Sequence, residues 1–201
     1  MTVSAVPATV PLRVPWATVG TAVAVAGFVT LWSQAVPAWA DSTLTIRLVQ
    51  LALAASAAYV LDDAAATLTN VAPRPLWRHR GFGLIIGLGA IAISWAIVLL
   101  GLRRQPEVIL RALTIEIAVL VLVALAAGAV LAMRGEPEPG NQVAVAVPLA
   151  GVGALIIGGM LGYDLFIGGL GSELTGKAGA WAGVGGIAFA LILWASRDKP
   201  A

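Results

Sequence analysis

Long apolar runs separated by short polar gaps set the pattern of this chain. The charge gaps predict six helices, at about 16–34, 42–61, 81–102, 107–133, 142–163 and 178–196. Each is long enough to cross a hydrocarbon core of about 30 Å at roughly 1.5 Å per residue. The runs are unbroken and lack period-2 alternation, which argues for helices and against a barrel. The first run is preceded by Arg13 and stays charge-free from Val14 to Ala40. It exceeds a signal-peptide core of roughly 7–15 residues, which favours a retained helix over a cleaved one. Ala38-Trp39-Ala40 nevertheless offers the small residues of a cleavage site.

Composition decides which solvent these helices face. Hydrophobic residues make up 60% of the 201 and charged residues 11%, against roughly 25% charged in a soluble domain. Lipid is therefore the main solvent, and the expected fold is one all-α, polytopic integral membrane domain over residues 1–201. Tryptophans mark the predicted ends: Trp16, Trp32, Trp39, Trp77, Trp181 and Trp194 all fall near them, where amphipathic rings prefer the interface. Trp95 lies well inside the third run and reads as a packing residue with its N–H bonded to a neighbour.

Lysine and arginine set the orientation. With the N-terminus inside, the cytoplasmic segments hold Arg13, Arg74, Arg78, Arg80, Arg134, Arg197 and Lys199. The outer segments and nearby helix ends hold Arg47, Arg103, Arg104, Arg111 and Lys177. The bias favours both termini on the cytoplasmic side. Richness in Ala, Val, Leu and Gly fits a high-GC bacterium, hence a bacterial cytoplasmic membrane.

Several chemistries are excluded. Cysteine is absent and His79 is the one histidine, so disulfides, thiolate metal sites and paired-histidine haem ligation cannot form. The basic residues are scattered and the net charge is +2, which does not point to nucleic acid. Zincin and serine-hydrolase motifs are missing. No cofactor or metal is expected, and the chain is not expected to be an enzyme by itself. The nearest approach to a phosphate-binding loop is Gly171-Ser-Glu-Leu-Thr-Gly176-Lys177-Ala178, where Ala178 replaces the hydroxyl residue that would hold Mg²⁺. It follows no predicted strand and lies on the predicted outer face, so any ATPase must be a separate polypeptide.

The longest polar interruption between spans is Leu61 to Arg80, LDDAAATLTNVAPRPLWRHR. Asp62 and Asp63 can cap a short helix over Ala64-Ala65-Ala66-Thr67-Leu68, which Asn70 and the prolines Pro73 and Pro75 end. Arg74, Arg78, His79 and Arg80 then lead into the third span. An ordinary positive-inside loop explains the same residues. The stretch Tyr59-Val-Leu-Asp-Asp-Ala-Ala-Ala-Thr-Leu, followed by Ala72-Pro-Arg-Pro-Leu-Trp-Arg-His-Arg, resembles small actinobacterial membrane proteins associated with ABC transporters. The six-helix layout is similar to permease subunits of type-2 ABC exporters. That resemblance implies that the cytoplasmic loop 62–80 is a coupling helix docking on a separate ATPase. It implies as well a second membrane subunit or homodimer mate. The chain departs from the family in lacking an extended amphipathic helix before the first span.

Glu116 sits inside the fourth run, where an ionised side chain costs several kcal/mol unless paired, hydrated or protonated. Arg47, near the same predicted outer face, is its plausible bundle-facing partner, and Glu107 with Arg111 forms an i, i+4 pair. Glu116 and Arg47 read equally well as a substrate or proton site and as a structural ion pair. Glycines recur four apart at Gly83 and Gly87, Gly158 and Gly162, and Gly179 and Gly183, a spacing that serves helix packing within the bundle or between subunits. The glycine-rich stretch from Gly162 to Glu173 suggests a broken outer segment or a plain loop.

The expected function is a permease-type subunit of an ATP-driven exporter. One alternative is a stand-alone proton-coupled transporter or channel using Glu116. Another is a non-transporting structural subunit of a larger membrane complex.

Overall fold

The computed structural model describes residues 16–36, 43–61, 76–103, 105–136, 138–161 and 174–195. Among them are six α-helices and no strand: α1 (Trp16–Ala35), α2 (Thr43–Ala58), α3 (Leu76–Gly101), α4 (Glu107–Met133), α5 (Pro139–Leu161) and α6 (Leu174–Ala195). A 3₁₀ turn, Tyr59–Leu61, continues α2. Three helical stretches are long and apolar enough to cross a membrane: Gly83–Gly101 of α3, Glu107–Met133 and Pro139–Leu161. The other three helices carry shorter apolar stretches, Thr18–Trp32, Leu44–Ala58 and Gly179–Ala195. Large apolar side chains such as Ile85, Leu149, Met160 and Ile187 are exposed on the bundle surface. So much exposed apolar surface suits a membrane and not water.

The charge gaps located the helices better than their ends. α4 has the expected limits, because Pro106 cannot continue a helix backwards and its carbonyl accepts from Ile109 and Leu110. α3 begins at Leu76, five residues before the expected start, so Arg78 and Arg80 belong to its first turns and not to a loop. The residue before Leu76 in the sequence is a proline. Proline disfavours helix in the residue before it but opens one readily. α5 starts early in the same way, at Pro139. α6 starts at Leu174 and takes in Lys177.

The α4–α5 turn is set by Gly135, whose φ of +85° is left-handed. The N–H of Gly135 bonds to the Ala132 carbonyl and that of Glu136 to the Leu131 carbonyl, the two bonds of a Schellman cap.

α2 is the central helix, packing on α1, α3, α4 and α5. α1 packs on α3, and α4 packs most extensively on α6. The main core joins Ala22 and Val29 of α1, Ile46, Val49 and Leu53 of α2, Ile91, Trp95 and Val98 of α3, and Leu113, Ile117 and Val121 of α4. A smaller core joins Ala55 and Ala58 of α2 to Ala124 of α4 and to Val143 and Ala144 of α5. Hydroxyls tie the helices where small side chains bring them close. Thr18 donates to the Ser56 carbonyl at 2.9 Å and Ser94 to the Ala22 carbonyl at 2.8 Å.

Candidate functional site

The polar centre of the bundle lies between α2 and α4. Arg47 and Gln50 are three residues apart on α2 and share one face. Leu113 and Glu116 are related in the same way on α4. Packing these faces together makes an ion pair between Arg47 Nη1 and Glu116 Oε2, with the side chains 1% and 0% exposed. The same Nη1 donates to Gln50 Oε1 at 3.2 Å. Gln50 Nε2 donates to Glu116 Oε2 at 3.2 Å and to the Leu113 carbonyl at 3.0 Å. The glutamine thus uses both ends of its amide and stitches the charged pair to the α4 backbone.

The environment decides what this cluster can do. Ile46, Val49 and Ile117, next in sequence to Arg47, Gln50 and Glu116, belong with Leu113 and Trp95 to one buried apolar cluster. Taking two charges out of water costs several kcal/mol per ion, which attraction offsets only with good geometry and further hydrogen bonds. Gln50 supplies such bonds here. A group arranged this way fixes the axial register of α2 against α4. A carboxylate held by a guanidinium and an amide, with no exposed surface, has no route for exchanging a proton or meeting a solute in this arrangement.

Trp95 of α3 reaches α4 as well. Its indole N–H donates to Thr114 Oγ1 at 3.3 Å, and the Thr114 hydroxyl donates to the Leu110 carbonyl at 2.8 Å. Nearer the start of α4, Arg111 pairs with Glu107 at 2.6 Å. Both side chains are largely exposed, so this i, i+4 pair contributes a few tenths of a kcal/mol at most.

Of the residues marked from sequence, Arg47 and Glu116 are brought together. Asp62, Asp63, Thr67, Asn70 and Arg74 lie outside the described residues, as does the stretch from Gly162 to Glu173. Arg78 and Arg80 lie in α3. The spaced glycines have different surroundings among the described residues. A Cβ on Gly87 would come 2.5 Å from Val60 Cγ2, a close approach, and Gly158 is buried in α5. A Cβ on Gly83, Gly179 or Gly183 would meet nothing within 4 Å among the described residues. The tight approaches that the spacing missed are Gly151, against the Leu51 side chain, and Gly185, 3.1 Å from Val119 Cγ2. Gln50 was also missed as a site residue. Its signal was a polar amide one helical turn from a membrane arginine.

No family model, curated protein or solved structure matches this chain. Fold and site together describe a bundle that is all-helical among the described residues, with three helices long and apolar enough to cross a membrane and a buried charge cluster.

Proposed function

We propose that this chain is a membrane-spanning permease-type subunit of an ATP-driven exporter in a bacterial cytoplasmic membrane. All six helices cross the bilayer in this reading and both termini are cytoplasmic. The segment 62–75 with the start of α3 takes up the motion of a separate ATPase. A second membrane subunit or a second copy completes the pathway.

One observation carries the reading: the helix that leads into this segment packs on α1, α3, α4 and α5. α2 passes into Tyr59–Leu61, where Val60 fits against Gly87 of α3 just before Asp62. Its other end is fixed to α4 through Arg47 and Gln50. A displacement delivered at Asp62 would therefore load a rod anchored at both ends, which a transmission helix requires. The test is co-purification of the tagged full chain with a nucleotide-binding subunit. Reversing charge with Asp62→Lys and Asp63→Lys should abolish that association.

A second reading, a structural subunit that does not transport, is favoured by the sealed ion pair. It predicts a stable complex that keeps its partners but hydrolyses no ATP. Proton-coupled transport through Glu116 has the least support, because its carboxylate is engaged by Arg47 and Gln50 and closed off from solvent.

A further inference from the structure

α2 packs on four other helices, yet its own sequence is poorly suited to lipid. Its apolar stretch runs only from Leu44 to Ala58, short of the roughly 20 residues that a span requires. Arg47 and Gln50 fall inside that stretch, and α2 has no acidic residue to set against the arginine. An arginine deep in the bilayer offsets the insertion gain of roughly five leucines. Gln50 adds an amide that must also find partners away from water.

α4 has what α2 lacks. It is long and apolar enough over Glu107–Met133 to cross a membrane by itself. Its Glu116 pairs with Arg47, and Gln50 donates both to Glu116 and to the Leu113 carbonyl. The two helices run parallel. Arg47 near the start of α2 meets Glu116 in the first half of α4, and Ala55 and Ala58 share the smaller core with Ala124. At about 1.5 Å per residue, Glu116 stands about 14 Å along a helix of about 40 Å. The pair therefore lies below the surface of a hydrocarbon core of about 30 Å centred on α4. The partner also arrives late. Glu116 follows Arg47 by 69 residues, so α2 reaches the bilayer ahead of the carboxylate that neutralises it.

We propose that α2 is a conditional span, which crosses the bilayer only with α4 beside it and Glu116 as the countercharge of Arg47. Without that countercharge α2 does not cross, and both of its ends lie on one side of the membrane. The ion pair thus governs topology as well as register. The proposal rests on the part of the permease reading in which all six helices cross, and it needs no ATPase.

The natural chain has no cysteine, so one reporter at a time can be placed in the full protein. Val36→Cys precedes α2 in the sequence and Thr67→Cys follows it. A membrane-impermeant maleimide is applied to spheroplasts before and after permeabilisation. Labelling is read on pulse-labelled chains, so the side of each reporter is known whether or not the variant goes on to fold. In the natural chain the two reporters should lie on opposite sides. Glu116→Leu should bring them to the same side in a share of chains about tenfold or more above the natural one. Adding Arg47→Met should return that share to the natural value, because the charge that needed a partner is gone. Val121→Ala, a packing defect in the same core that leaves both charges, should not move it. Opposite sides retained in E116L overturn the conditional span and leave the six-span reading standing. A shift that Arg47→Met does not reverse, or an equal shift with V121A, overturns it as an ordinary loss of packing. Reporters on one side in the natural chain overturn the six-span reading and the proposal with it.

Discussion

Arg47 and Glu116, 69 residues apart in sequence, form an ion pair with almost no exposed surface, and Gln50 binds the pair to the Leu113 carbonyl of α4. The register of the two central helices rests on this contact. Isolated charges could not survive there, so neither residue is independent of the other.

Single removal should therefore cost far more than joint removal. Glu116→Gln or Arg47→Met alone should destabilise the protein by about 3–5 kcal/mol, because the remaining charge loses its partner in an apolar wall. The Arg47→Met, Glu116→Leu double variant should lie within about 1 kcal/mol of the natural protein. Thermal unfolding in detergent, read as a double-mutant cycle, measures the coupling. Additive losses would mean that the two side chains do not act as a pair.

Gln50→Leu removes the amide bonds but leaves the ion pair. The expected loss is about 1–2 kcal/mol, since Leu113 keeps its helical hydrogen bond while Glu116 loses one donor. A loss as large as that of Glu116→Gln would place more of the clamp in the amide than the geometry assigns it.

Glycine substitutions should divide by position. Gly151→Ala drives a methyl into the buried Leu51, and Gly87→Ala meets the stiff, β-branched Val60. Each should cost about 1–3 kcal/mol by overpacking. Gly183→Ala meets open space and should be neutral or stabilising by up to about 1 kcal/mol through helix propensity. Melting temperatures of the three variants decide. A large loss at Gly183 would indicate a subunit contact on that face.

Gly135→Ala forces a side chain into a left-handed conformation at the α4–α5 turn. A loss of about 1 kcal/mol in unfolding free energy is expected, with helicity preserved.

Much of this architecture was legible in the sequence because lipid imposes one rule. Every backbone group must bond within its own helix, so apolar length maps directly onto helices. The Arg47–Glu116 pair was legible for the same reason, since two opposite charges in apolar runs have few stable alternatives. Helix starts were harder to place. The charge gaps put the fifth helix at about 142, yet it begins at Pro139, a residue type suited to a helix start. Glycine packing was the least legible, because sequence spacing is the same for a face turned inward at Gly87 and one turned outward at Gly179 and Gly183. Whether a neighbour fills the gap depends on α2, whose Leu51 and Val60 are remote in sequence from the glycines they meet.

The account turns on whether an ATPase engages the segment 62–75 that follows α2 in the sequence. Affinity purification of the tagged full chain from its native membranes, with every co-purifying subunit identified, measures this most directly. The predicted result is a nucleotide-binding subunit that is retained by the natural chain and lost with Asp62→Lys and Asp63→Lys. A chain that is always recovered without an ATPase, or one that retains it after the charge reversal, would contradict the account.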